Sequence, residues 1–325
     1  MEVLIAVKET AKEFLERKYG PGKLELACSK QGKEIRKVLE GHDEHHQNLE
    51  SLISILRQRG IDPVVKARVK TPDYSPYSAD DFLRADVVVS FGGDGEVLDV
   101  ARSISKKKLG CHAPLVWVER ADSSSAAGLS VTRNYSYEQK ADMLLSKNYS
   151  VEEWTRINGV IRSGDYIEAD DIALNEIYFG DENSVGLARY TLHHNKRSEF
   201  QRSSGGVVST KTGLRGWLLD INSKSMVRHA WNNMRSFLYA NIKRADSESK
   251  ILEYSIINPK FKHRMIGGSI KPVDRFVVMS NMNYDGFVSF DSSKSHYDNP
   301  RCYDFSRGKV LEVSVSDDPL RVMRF

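Results

Sequence analysis

Cysteine, proline and tryptophan are scarce in this chain, with three, nine and four copies among 325 residues. Cys28, Cys111 and Cys302 stand far apart and form no Cys-x-x-Cys pair. That excludes a disulfide scaffold and a cysteine-built zinc site, and it fits a reducing compartment. No apolar run approaches the roughly 18 residues of a membrane helix; the longest, such as Val87-Val88-Val89, are strand-sized. No membrane partner is expected. Excess charge of one sign is also missing: 48 Lys+Arg against 44 Asp+Glu leaves a formal net charge of +4. The compact basic run Lys106-Lys107-Lys108 reads as a solvated helix end, so no nucleic-acid partner is expected. The first twenty residues fit neither a secretory signal nor an acid-poor transit peptide, which makes the cytoplasm the expected location.

With 40% apolar and 28% charged residues, the chain can bury a sizeable core. Residues 1–149 alternate strand and helix patterns. Buried-strand runs stand at 3–7, 64–69, 86–91 and 114–118. Leu49, Leu52, Ile53 and Leu56 recur at helical spacing, as do Val97, Leu98, Val100, Ala101 and Ile104 before Gly110. This order predicts a parallel sheet with helices on its faces. From about 150 to 325 the texture changes to short segments rich in Ile, Val, Tyr and Thr, broken by Gly, Asn and Asp. A mostly antiparallel β-rich domain is expected there, with one helix over 226–242 and last strands at 309–315 and 320–325.

Three places carry chemistry. First, a buried strand runs into Gly92-Gly93-Asp94-Gly95 and then a helix. Bare backbone N–H groups at a helix start suit a phosphate, and Asp94 inside the turn can take a hydroxyl proton or help hold a metal ion. The alternative is a tight turn with Asp94 as cap. Second, Asn175-Glu176 is a polar pair in an otherwise apolar strand, suited to a ribose diol or else simply an edge position or turn. Third, Ser209-Thr210-Lys211-Thr212-Gly213 is a hydroxyl-rich bend. His42, His45 and His46 share a helical face, a spacing able to bind metal. They read instead as the solvated first turn of the following helix, and no metal site is expected.

These sites, in this order and followed by Asp285-Gly286, resemble the NAD kinase family, closest to its mitochondrial-type branch. The resemblance implies an α/β N-terminal domain with a parallel sheet (1–149) plus a β-rich C-terminal domain (150–325), the NAD kinase/diacylglycerol kinase-like fold. It further implies phosphoryl transfer from ATP, with Mg²⁺, to the adenosine ribose 2′-hydroxyl of NAD or NADH. Asp94 would activate that hydroxyl. Gly92, Gly93 and Gly95 would admit the ATP phosphates. Asn175 and Glu176 would hold NAD, with Ser209, Thr210, Thr212, Gly213, Trp217 and Asp285 completing the substrate and nucleotide site. A homodimer is implied as well. Glu96 stands where the family carries Thr, and is expected to set a negative charge against the triphosphate. That departure keeps two alternatives open: a dinucleotide-binding sensor of the same fold, and a kinase acting on another small-molecule hydroxyl.

Overall fold

The computed structural model describes residues 1–68, 77–110, 113–123, 128–129, 135–181, 186–213, 250–260, 263–283, 286–291 and 301–325. Cys111, Trp217, Asp285 and the helix expected over 226–242 lie outside the described residues.

The apolar run near the N-terminus is strand β1 (Val3–Lys8). It is followed by α1 (Ala11–Tyr19), α2 (Leu24–Lys30), α3 (Ile35–Gln58), β2 (Val64–Arg68) and α4 (Ala79–Phe82). Next come β3 (Val87–Gly92), α5 (Asp94–Ser103), α6 (Lys106–Leu109), β4 (Leu115–Arg120), α7 (Tyr137–Leu145) and β5 (Ser150–Trp154). The helix expected to run to Gly110 breaks at Ile104, whose backbone is extended.

Twelve strands follow: β6 (Ile157–Ser163), β7 (Tyr166–Ala173), β8 (Glu176–Asp181), β9 (Ala188–His194), β10 (Arg197–Ser203), β11 (Gly205–Ser209), β12 (Leu252–Ile257), β13 (Gly267–Ile270), β14 (Phe276–Ser280), β15 (Gly286–Phe290), β16 (Cys302–Asp304) and β17 (Lys309–Val315). The chain closes with β18 (Leu320–Arg324).

The chain divides into two units, Met1–Glu152 with Arg321–Phe325, and Glu153–Leu320. The first is a six-stranded sheet ordered β2-β1-β3-β4-β18-β5. Its β1–β2, β1–β3, β3–β4 and β4–β18 pairs are parallel. β1 and β3 are buried along almost their whole length, as near-continuous apolar runs require when helices cover both faces. Their side chains pack with Leu52, Ile55 and Leu56 of α3 and Ala141 and Leu144 of α7. β18 occupies an interior position in this sheet, although its residues fall in the stretch that the sequence pattern groups with the β-rich half.

The second unit holds two antiparallel sheets, ordered β10-β9-β14-β17-β6-β7 and β13-β12-β11-β8-β15-β16. One apolar core draws on both, including Ile161, Tyr190, Phe276 and Leu311 from one sheet and Ile177, Val208, Tyr254 and Phe290 from the other. Among the described residues, no helix is long and apolar enough to cross a membrane.

Candidate active site

In the first unit the strand order steps outward in both directions from β1 and β3, so the connections leave on opposite sides between these two strands. Open α/β sheets bind ligands beyond the carboxyl ends of their strands at such a switch point. β3 ends there at Gly92, and Gly93, with φ −105° and ψ −170°, begins α5 with no side chain capping it. A Cβ on Gly92 would stand 2.6 Å from the Cβ of Glu96, so the turn needs a glycine at that point. Gly95 is exposed, and an added Cβ there would meet nothing within 4 Å. The result is bare backbone at the positive end of a ten-residue helix.

Asp94 is the first residue of α5. Its Oδ1 accepts the Leu129 N–H at 2.8 Å and its Oδ2 accepts the Gly128 N–H at 3.1 Å. The carboxylate is therefore pinned by main chain rather than free to rotate. It does not cap its own helix.

Glu96 does not lie against a ligand at the glycine turn, as the sequence led us to expect. It is 1% exposed and turns inward, where Oε2 lies 3.0 Å from Arg68 Nε and Oε1 accepts the Tyr77 hydroxyl. Arg68 also pairs with the buried Asp99, one turn further along α5. Three-residue spacing puts Glu96 and Asp99 on the same helix face, so one guanidinium serves both. Burial, then the Glu96 charge, raises the Tyr77 hydroxyl far above the usual phenol range and keeps it protonated as a donor.

Around the same strand ends, Lys8 Nζ pairs with the buried Asp122 at 3.0 Å. His45 Nδ1 lies 3.7 Å from Asp122 Oδ2. The loop after β4 is tied to α3 by Asn48, which donates to the Ala121 carbonyl at 2.9 Å, and by Glu44, which accepts from Ser123. A cavity of about 420 Å³ opens here, lined among others by Lys8, Thr10, Lys33, Lys37 and His42. The histidines are not a solvated first turn: they lie mid-way along a helix of 24 residues, and His45 is buried beside Phe91.

The second unit gathers the other polar residues. Asn175 and Glu176 sit not within one strand but where the chain passes from β7 to β8, from one sheet to the other. Ser209 pairs with Glu176 in register. The Ser209 hydroxyl donates to the Asn175 carbonyl at 3.1 Å, the Thr210 N–H to the same carbonyl at 2.8 Å, and the Thr210 hydroxyl to the Leu174 carbonyl at 2.6 Å. Gly213 N–H donates back to Thr210 Oγ1 at 3.1 Å, and a Cβ on Gly213 would collide with the Asn175 carbonyl. Ser209 and Thr210 thus fasten the bend to Asn175, while Thr212 stays half-buried.

Asp291, just past β15, is a residue that sequence reading missed. Its Oδ2 accepts the Leu174 N–H at 2.7 Å, and its Oδ1 accepts the N–H groups of Asn175 and Glu176 at 2.7 and 3.1 Å. Arg301 Nη1 donates to the Asp291 carbonyl at 3.1 Å. Burial, against these three N–H donors, pushes the Asp291 carboxyl up to about 6. Burial first, and the Asp291 charge second, push Glu176 up to about 8. Asn175 Oδ1 and Glu176 Oε2 are buried and accept no hydrogen bond among the described residues. Such orphaned acceptors are rare in folded proteins, and a water, an ion or a ligand can supply the missing donors.

No family model matches the chain. It is 29% identical over 135 residues to the NAD kinase of Buchnera aphidicola, covering 41% of this chain and 44% of that protein. It is 25% identical over 178 residues to the NAD kinase of Lachnospira eligens, covering 53% and 58%. The chain thus spans about half the length of these curated relatives. In three dimensions it is similar to yeast NADH kinase complexed with NADH, with TM-score 0.66 and 12% identity over 100% of this chain and 84% of that one. An Archaeoglobus fulgidus NAD kinase in complex with ATP gives TM-score 0.59 and 15% identity, covering 98% and 92%. The chain is thus similar in sequence to NAD kinases over part of its length and shares their fold. The two-part architecture expected from the sequence motifs is therefore the NAD kinase architecture. Within it the candidate residues form two groups: the turn at 92–95 with Gly128 and Leu129, and the cluster of Asn175, Glu176, Ser209, Thr210, Gly213 and Asp291.

Proposed function

We propose that this protein is an NAD kinase that transfers the γ-phosphoryl group of ATP to the adenosine ribose 2′-hydroxyl of NAD or NADH, giving ADP and NADP(H). The observation that supports this best is the pair of orphaned, buried acceptors, Asn175 Oδ1 and Glu176 Oε2, suited to two neighbouring hydroxyl donors such as a ribose diol. Relatedness to NAD kinases supplies the rest.

In this reading Asp94 takes the 2′-hydroxyl proton as that oxygen bonds to the γ-phosphorus and the bond to the β–γ bridging oxygen breaks, releasing ADP. Phosphoryl transfer asks for positioning and charge neutralisation more than covalent chemistry. The main-chain donors at 128 and 129 hold Asp94 for that task. Gly92, Gly93 and Gly95 leave room for the phosphates, and Glu96, committed to Arg68, sets no charge against them. Asn175 and Glu176 hold the dinucleotide, Ser209, Thr210 and Gly213 position Asn175, and Thr212 meets the adenine. Trp217 and Asp285 keep the roles the resemblance gives them. Mg²⁺ neutralises phosphate charge when bound. A single carboxylate at the turn, with Glu96 and Asp99 turned away, fits an ion carried mainly by the triphosphate itself. We also place the protein in the cytoplasm and expect a homodimer.

The test is formation of NADP(H) by the purified protein from ATP or polyphosphate with NAD or NADH and Mg²⁺, with Asp94→Asn as control. Product that vanishes in the variant supports the assignment. No product with any pair of substrates, from a folded protein, refutes it.

A further inference from the structure

His42 and His46 lie four residues apart on α3, and so on one helix face. Facing them is Glu13 of α1, held in place by a capping box: its Oε2 accepts the Thr10 N–H at 2.8 Å while its own N–H donates to the Thr10 hydroxyl. His46 Nε2 lies 3.1 Å from Glu13 Oε1. The two imidazole rings stand edge to face, with centroids 4.5 Å apart. A ring nitrogen from each histidine and a Glu13 oxygen all lie within 4.8 Å of one another.

We propose that Glu13, His42 and His46 form a binding site for a divalent transition-metal ion of the Zn²⁺ type, clamping α1 to α3 beside the end of β1. This is independent of the kinase reading.

Two imidazoles and one carboxylate are the ligand set of open, three-ligand zinc sites, in which a fourth position stays with water or an exchangeable ligand. At metal–ligand distances of about 2.0–2.2 Å the donor atoms of a tetrahedral site stand about 3.4 Å apart. The ion therefore has to draw the widest pair together by at most about 1.4 Å, from within 4.8 Å, within reach of side-chain rotation. Thr10 supplies the outer contact that such a site needs: its hydroxyl lies 2.9 Å from His42 Nδ1 and orients that ring. Lys12, together with Lys8, Lys33 and Lys37 around the adjoining cavity, opposes a cation. All three ligands are half-buried, and the cavity lined by Thr10 and His42 leads solvent to them. His45 is turned away into the core and takes no part.

The test uses the full chain stripped of metal and titrated with ZnCl₂ by calorimetry, with Co²⁺ absorption as a second readout, in the absence of nucleotide. The expected result is one saturable equivalent of Zn²⁺, a rise in melting temperature on binding, and a Co²⁺ spectrum with nitrogen ligands. Glu13→Gln should weaken Zn²⁺ by more than the roughly 10–100-fold that loss of an outer contact brings. His42→Gln/His46→Gln should abolish binding, while Asp43→Asn should leave it unchanged. Circular dichroism of the metal-free variants checks that they fold. If the folded double variant keeps the wild-type Zn²⁺ affinity, or if the wild type shows no saturable binding, the proposal is overturned.

Discussion

Asp291 Oδ1 lies 2.7 Å from the main-chain nitrogen of Asn175, as close as Oδ2 of the same carboxylate lies to that of Leu174. A carboxylate accepting N–H groups from three consecutive residues fixes the backbone at the crossing between two sheets. Hydrogen bonds to a charged acceptor contribute about 1.5–3 kcal/mol each. Asp291→Ala is thus expected to lower stability by about 3 kcal/mol and to weaken NADH binding more than it slows turnover at saturation. Denaturant unfolding and NADH fluorescence titration measure the two effects.

Glu176 gives the second unit a pH signature. Its ordinary value is 4.5, and burial with the Asp291 charge raises it to about 8 in the folded chain. The folded state holds the proton more tightly, so this contribution to stability is fully present below pH 4.5 and is lost as pH rises through 8. Stability measured across that window should fall toward the alkaline end. Glu176→Gln should flatten the fall and be the more stable protein at pH 8. A variant with an unchanged pH profile would show that Glu176 is not the group responsible.

The Arg68 cluster yields a prediction opposite to the one invited by the sequence. Threonine at position 96 ought to favour ATP if Glu96 faced the phosphates. Since Glu96 shares Arg68 with Asp99, Glu96→Thr should cost stability without raising ATP use. Arg68→Met, which strands two buried carboxylates, should destabilise by about 3–5 kcal/mol. Thermal melts and kcat/KM for ATP provide the check.

Asp94→Asn keeps the side-chain shape and an acceptor for one of the two main-chain donors. Turnover should drop by at least about 100-fold, the scale of a lost general base, while the melting temperature moves by only a few degrees. Initial rates of NADP(H) formation and calorimetric melting decide it.

Gly213→Ala probes the bend. The new Cβ would collide with the Asn175 carbonyl, so the bend must shift. A loss of roughly 1–3 kcal/mol is expected, together with weaker dinucleotide binding.

The parallel half was legible in the sequence because fully buried strands read as unbroken apolar runs. β3, at 87–92, ends within one residue of its expected limit. The 309–315 strand, at Lys309–Val315, matched residue for residue. Glycines 92, 93 and 95 were legible as a turn for the steric reason that Gly92 displays against Glu96. What a linear pattern does not carry is the partner of a buried charge. Glu96 reads as facing the phosphates, and nothing local joins it to Asp99, until Arg68, 28 and 31 positions earlier, is placed beside them. Asp291 lies 115 residues from Glu176, and no local periodicity links them. The switch at Asn175 escaped because Ala173 and Ile177 on either side are equally apolar, hiding a change of sheet inside what looked like one strand.

β18 gives the molecule a sequence of assembly. Inside the first sheet, among the described residues, it is the only neighbour of β5 and the second neighbour of β4. Its residues leave the ribosome after everything else described in this chain. Until they arrive, β4 presents an unpaired edge and β5 has no sheet to join, so the first-made unit is the last to be completed. The β-rich unit, synthesised between them, has all its strands available earlier and is free to fold while the opening domain still waits for its closing strand.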